Sequence, residues 1–309
     1  MTTMVSNSTS LLDILKSTYL GIVSVFTLLE NGFIIVVLGY QGLQKRNILP
    51  HDILLIGLSA SRLMSQMLSS TSYLLYFKKD MGIFKQDVVF ISWNFFNMTS
   101  MWSATWLSVL YCVKVTNIAN CLFLWLKPRI NMLVLRLLAM SVVISSIFFV
   151  PSVLEYFQQK KWDNLTRNSP VSANQSEGYN NEFINLDVQL FYVSITFCIS
   201  IIASTLLLVS LCKQIRNLKK SGLGGKDLNT QVHRDVITLL LSYIFFYIVH
   251  FTGFIILKND VSRHRSLEML VIQILTISFP CVHSIMLILT NPKVKEMAGH
   301  ILNITQRAS

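Results

Sequence analysis

The sequence predicts an all-α membrane protein: a bundle of seven transmembrane helices, with the N-terminus extracellular and the C-terminus cytoplasmic. Three observations lead there. Of 309 residues, 52% are hydrophobic and only 13% are charged, against about 25% charged in an ordinary soluble domain. The mean hydropathy is +0.54. The apolar residues fall into seven runs, each near the length of about 20 residues that a helix needs to cross a bilayer. This composition excludes disorder, fibrous repeats and a secreted disulfide scaffold.

The runs are Thr18–Tyr40, Leu49–Phe77, Val88–Val113, Met132–Leu154, Val188–Cys212, Val236–Leu257 and Leu267–Thr290. The first is too long for a signal-peptide core and lacks a basic stretch before it, so it reads as a retained anchor. Residues 155–186 read as a long extracellular loop, 213–235 as the third intracellular loop and 291–309 as a short cytoplasmic tail, all in one domain. Orientation follows from a modest excess of Lys and Arg on the inner segments, among them Lys45, Arg46, Lys127, Arg129, Lys213, Arg216, Lys219 and Lys220. Glycosylation acceptor triplets begin at Asn7, Asn164 and Asn174, all on the outside in this orientation.

The net charge of +11 is spread in short clusters between apolar runs, which fits a basic cytoplasmic face and membrane lipids rather than nucleic acid. The five Cys show no zinc-type spacing, and no metal or cofactor is expected. Neither the stretch 84–92 nor the loop 155–186 holds a Cys, so no disulfide ties the third segment to the long outer loop. The Gly-rich stretch Ser221–Gly225 follows no strand, and Lys226 is not followed by Ser or Thr, so it is no phosphate loop. No catalytic motif is present and no enzyme is expected. The two halves show no repeat, which argues against a transporter or channel.

Several residues stand out. Arg62 lies near the middle of the second segment, where a charge costs at least ~2.5 kcal/mol and must face the bundle. Glu30 and Asn31 lie near the middle of the first. Together with the seventh segment they form either a polar lock that switches on activation or a static interhelical bond. Trp93 and Asn97 are four residues apart and share a helix face in the outer half of the third segment. An aromatic and an amide on one face suit a small organic ligand; the plainer reading is an interfacial Trp and a helix-bonding Asn. His250, Phe254 and Gln273 join this candidate ligand set. His250 alone reads equally as a satisfied core residue. At the inner ends, Lys114, Lys213 and Arg216 stand beside the apolar Leu211 and Leu218, a basic rim around an apolar cleft that suits an amphipathic helix. Positive-inside topology explains those charges equally well.

The motifs of the large rhodopsin-like receptor class are missing. There is no Asp-Arg-Tyr after the third segment and no Asn-Pro-x-x-Tyr in the seventh, where Asn291-Pro292 runs into Lys293-Val294-Lys295. Other motifs occur in order over almost the whole chain. They are Asn31-Gly32-Phe33-Ile34, Asp52-Ile53-Leu54-Leu55 with Leu58 through Arg62, Trp102 through Leu107 with Tyr111 and Lys114, and Phe123-Leu124-Trp125-Leu126-Lys127-Pro128-Arg129-Ile130. Then come Leu206 through Leu211, His233, Ser242-Tyr243, Tyr247 and Pro280-Cys281-Val282-His283-Ser284. In this order they resemble the bitter taste receptors, the type 2 taste receptor family of G protein-coupled receptors.

That resemblance implies a multi-pass plasma-membrane receptor. It would sense small bitter molecules in a pocket open to the outside and activate a heterotrimeric G protein with a gustducin-type α subunit and its βγ partner. Trp93 and Asn97 match the pair that contacts agonists in relatives. Asn31, Arg62, Tyr247 and His283 match the activation switch. Tyr111, Lys114, Leu211, Lys213, Arg216, Leu218 and His233 match the G protein-facing end, and Asn164 matches the family's glycosylation site. Four positions depart from the family pattern: Thr196 replaces a Pro, Gln214 a His, Thr238 a Lys, and Cys281 a Ser that joins the Asn–Arg lock. A vomeronasal type 1 pheromone receptor has the same architecture. The loop Leu124-Trp125-Leu126-Lys127 and the pair His283-Ser284 favour the bitter family over it.

Overall fold

The computed structural model describes residues 2–46, 48–77, 83–115, 126, 128–166, 177–220, 228–259 and 267–308. They form eight α-helices and, among the described residues, no strand: α1 Thr2–Lys45, α2 Pro50–Phe77, α3 Ile83–Val115, α4 Ile130–Thr166, α5 Glu177–Lys220, α6 Leu228–Asn259, α7 Leu267–Thr290 and α8 Pro292–Ala308. α3 occupies the middle, packed against α2, α4 and α5. α7 closes the bundle between α6 and α1.

The helices outrun the apolar segments that locate them. α1 begins at Thr2 rather than near Thr18, α4 continues to Thr166, and α5 begins at Glu177. Most of the stretch expected to be a long loop is therefore helix, with 167–176 outside the described residues. Hydropathy marks where a helix meets lipid, not where its backbone hydrogen bonding stops. The expected tail is also helical. Asn291 Oδ1 accepts the backbone N–H of Lys293 at 3.0 Å and of Val294 at 3.4 Å, capping α8, and Pro292 sits at the first helical position, where its missing N–H costs nothing. Val294, fully buried, and Met297 pack α8 onto the core formed by α1, α2, α3 and α7.

Four helices carry stretches long and apolar enough to cross a membrane: Ser17–Gln44, Leu190–Asn217, Val236–Ile256 and Leu270–Thr290. Large apolar side chains such as Val36 (67% exposed), Phe191 (62%) and Phe245 (61%) point outward, as lipid contact requires. α2 and α3 are more polar because they line the interior. Several of their buried hydroxyls return to their own helix: Ser61 donates to Leu58 O at 2.9 Å, Ser103 to Thr99 O at 2.8 Å and Thr105 to Met101 O at 2.9 Å. These three are thus satisfied without water, whereas Ser59 Oγ on α2 is buried without a hydrogen-bond partner.

Helix ends are tied as well. Arg46, at φ 48°, takes the left-handed position that stops α1. Gln214 Nε2 on α5 donates to Val115 O at 3.0 Å, satisfying a carbonyl at the end of α3. Lys293 Nζ meets the buried Asp52 Oδ2 at 2.5 Å, joining the start of α8 to the start of α2.

α6 packs tightly against α7 at Gly253. A Cβ there would overlap Thr276 Oγ1 and touch Ile272 Cγ2 at 3.5 Å. Gly253→Val is therefore expected to destabilise the protein by about 1–3 kcal/mol, read as a lower thermal midpoint of the purified protein. Gly21→Ala, with nothing within 4 Å of its added Cβ, is expected to leave the midpoint unchanged or raise it slightly.

Candidate functional site

Arg62 is 5% exposed, deep in the bundle. α7 supplies its partners. Nη1 donates to Ser284 Oγ at 2.9 Å and to Pro280 O at 3.3 Å, and Nη2 donates to His283 Nδ1 at 2.6 Å. That last bond fixes the His283 tautomer, because a nitrogen that accepts from a guanidinium carries no proton. Ser284 Oγ also bonds Asn31 Oδ1 at 3.2 Å, so α1, α2 and α7 meet at one hydroxyl. Glu30 is turned aside: its Oε1 accepts from Cys281 Sγ at 3.3 Å. The Ser-to-Cys departure at 281 thus leaves the lock itself intact, with Ser284 as its hydroxyl.

Pro280 shapes the next layer. It stands inside α7 and has no N–H, which frees the carbonyl of Thr276 one turn earlier. His250 of α6 fills that vacancy, with Nδ1–H donating to Thr276 O at 2.8 Å. Gly253 keeps the adjacent surface of α6 low enough for this close approach.

Around Phe279 of α7 the aromatic side chains stack. Its ring lies 4.9 Å from Tyr247 and 4.9 Å from His250, both nearly parallel, and 5.8 Å from His283. Tyr243 reaches His283 at 4.7 Å, and Tyr247 meets Phe197 of α5 edge-on at 5.2 Å. One continuous aromatic path therefore joins His250 to the partner of Arg62.

Two cavities flank this path. A small chamber of about 20 Å³ is lined by Arg62, Asn97, Ser100, Tyr243, Tyr247 and His250, with apolar walls from Met101 and Phe279. A larger, mostly apolar cavity of about 230 Å³ lies toward the end that holds α8, between Tyr111 of α3, Leu207 and Leu211 of α5, Leu239 and Tyr243 of α6, and Met286 of α7. Tyr243 lines both.

The residues singled out from sequence fall unevenly on this geometry. Asn97, His250, Tyr247 and Arg62 come together at the small chamber. Trp93 is half-buried one turn before Asn97 on α3. Phe254 packs instead against the cluster of Met98, Trp102, Tyr192 and Val193 between α3 and α5. Tyr111 and Leu211 line the large cavity, while Lys114, Lys213 and Arg216 are exposed near its mouth. The side chains of Gln273, Leu218, His233, Asn7 and Asn164 lie outside the described residues, as do Asn174, Cys121 and the stretches Leu122–Trp125 and Ser221–Gly225. Asn7 and Asn164 fall within α1 and the last turn of α4 rather than in loops. The described cysteines, Cys112, Cys198, Cys212 and Cys281, are not joined in disulfides. At Thr196 the missing Pro leaves α5 continuous, with Oγ1 donating to Val193 O at 2.9 Å. Phe279, Thr276 and Gly253 were not singled out. The one signal in the sequence for them is Pro280 inside an apolar run.

A sequence profile described as Taste receptor protein (TAS2R) matches residues 8–306. The chain belongs to the type 2 taste receptor family. Among similar proteins, Taste receptor type 2 member 41 of Gorilla gorilla gorilla is 30% identical over 300 residues, 91% of this chain and 93% of the relative. Taste receptor type 2 member 10 of Pan troglodytes is 30% identical over 290 residues, covering 90% of each chain. Taste receptor type 2 member 2 of Homo sapiens is 28% identical over 285 residues, 90% of this chain and 92% of the relative. The protein is thus a bitter taste receptor, a membrane protein that takes tastants and works through a G protein.

In this receptor Ser284 carries the hydrogen-bonded junction of α1, α2 and α7. Ser284→Ala removes an acceptor from a buried guanidinium and is expected to cost about 1.5–3 kcal/mol, measured as a lower thermal midpoint and altered basal signalling. Cys281→Ser, which restores the family residue beside the lock, is expected to leave both nearly unchanged. Equal effects from the two substitutions would contradict the assignment.

Proposed function

We propose that this taste receptor sits in the plasma membrane with its N-terminus outside, as one seven-helix domain. Small bitter molecules enter from the outer side and are held by Trp93 and Asn97 on α3, facing His250 on α6. The large cavity at the opposite end opens to admit the C-terminal helix of a gustducin-type α subunit. The exposed Lys114, Lys213 and Arg216 form its basic rim and would guide an acidic partner. Asn164, with Asn7 and Asn174, are the proposed outer glycosylation sites.

One observation carries this reading: Tyr243 lines both the chamber below Asn97 and the large cavity, and its ring neighbour His283 holds Arg62. An agonist that shifts α3 against α6 would press on Tyr247 and His250. Their stack on Phe279 passes that displacement to His283 and Tyr243. The wall of the large cavity would then move without any new contact being made there. Such a change requires the agonist to bind the moved state more tightly.

The test is calcium mobilisation in cells that supply a chimeric gustducin-type α subunit, using a panel of bitter compounds. Loss of stacking area or of an orienting hydrogen bond is worth roughly 1–3 kcal/mol. Trp93→Ala and Asn97→Ala are therefore expected to raise the EC50 about tenfold or more at normal surface level. Unchanged EC50 in both would overturn the ligand site. Leu211→Asp places an acid in the wall of the apolar cavity and is expected to abolish nucleotide exchange on purified G protein while agonist still binds. Normal exchange would move coupling elsewhere.

A further inference from the structure

We propose that the small chamber beside Arg62 is an anion site that holds one chloride ion as the counterion of the buried guanidinium. The need for one follows from charge. Arg62 is almost wholly buried, yet all three of its partners, Pro280 O, Ser284 Oγ and His283 Nδ1, are neutral. Among the described residues no carboxylate comes within ion-pair distance of it. Glu30 lies within electrostatic reach of Arg62 but makes no ion pair with it: its Oε1 accepts from Cys281 Sγ. An unpaired charge in low dielectric is costly, and a counterion removes most of that cost.

The place for one follows from geometry. Arg62 Nε is buried without a hydrogen-bond partner, and Arg62 lines the chamber. The chamber measures about 20 Å³, enough for a single water-sized or slightly larger particle. Asn97 also lines it and its amide can donate; Tyr243 and Tyr247 line it too, but their hydroxyls are hydrogen-bonded to Ser108, Ser200 and Thr196. Ser100 contributes little, because its hydroxyl already donates to Asn97 O at 2.8 Å. A buried guanidinium with an unpartnered Nε, beside a neutral amide donor and with no carboxylate at ion-pair distance among the described residues, repels cations and suits a small anion. Halide is the class that fits: a carboxylate or phosphate is too large for this space. The ion would lie between Asn97 and Arg62, and so between the proposed ligand site and the lock. It requires only Arg62 and the chamber, whatever binds above.

The test uses the full-length receptor purified into lipid nanodiscs. Thermal midpoints are compared in sodium chloride and sodium gluconate at equal ionic strength, alongside radiolabelled chloride binding. Chloride at about tenfold its dissociation constant is expected to raise the midpoint by about 3 °C, saturably, with bromide acting alike and about one chloride bound per receptor. Ser100→Asp supplies a fixed carboxylate beside the chamber and is expected to remove both the shift and the binding. Glu30→Gln is expected to retain both. Equal wild-type midpoints in the two salts, with no saturable chloride binding, would overturn the proposal and leave the chamber to water. So would loss of chloride binding in Glu30→Gln. The wild-type comparison decides even if Ser100→Asp does not fold.

Discussion

A guanidinium buried among apolar helices constrains everything around it. Arg62 cannot shed its proton and cannot reach water, so the fold must bring acceptors to it. α7 brings three within five residues, from Pro280 to Ser284. This sets the rotation of α7 about its own axis, because a helix turned by even one residue would take Ser284 and His283 off the α2 face. Asn31 then closes the same knot from α1. Three helices are thereby placed by one side chain, and the apolar core of Leu54, Leu55, Leu58 and Leu287 fills in around it.

From that knot the structure propagates through α7 into α6. Pro280 both presents its own carbonyl to Arg62 and releases the carbonyl of Thr276 for His250. The contact between α6 and α7 rests on that hydrogen bond and on ring stacking around Phe279, rather than on ion pairs. Stacked rings slide at modest cost, since their attraction is broad and their geometry tolerant. The Arg62 knot is rigid by comparison. A stiff α1–α2–α7 unit facing a softer α6 is the arrangement that a ligand can bias with a few kcal/mol of differential binding.

The end that holds α8 is secured differently. The Lys293–Asp52 pair at 2.5 Å links α8 to α2, and the Gln214–Val115 bond links α5 to α3. Neither contact crosses the large cavity between α3, α5, α6 and α7. Those walls are mainly Leu, Met and Tyr side chains, so most of the contact across them is packing, with Tyr243 adding hydrogen bonds from α6 to Ser108 and Ser200. The Gln214 and Thr196 departures from the family pattern both make hydrogen bonds that stiffen α5 and its junction with α3.

Much of the architecture was legible in the chain. Apolar runs located the membrane helices, because hydrocarbon exposure must be met with apolar side chains whatever the partner. That Arg62 needs Asn31, Glu30 or a partner on the seventh segment was legible from depth, since charge and amide groups there must find one another; His283 entered only through the family resemblance. Motif order disclosed the family. Pairing was not legible. Hydrophobic periodicity shows which face of a helix turns inward but not which neighbour it meets, so Ser284 rather than Glu30 as the partner of Arg62 emerged only from the packed bundle. The same holds for Phe279, an unremarkable aromatic in an apolar run until four rings close around it. The helical continuation of α1, α4 and α5, and the capped α8, lie beyond what hydropathy can report, because backbone hydrogen bonding does not end where lipid does. Tertiary structure alone decided how close α6 comes to α7. That distance depends on a missing Cβ at Gly253 lying opposite a carbonyl freed by Pro280, two local facts that acquire meaning only when the helices are laid side by side.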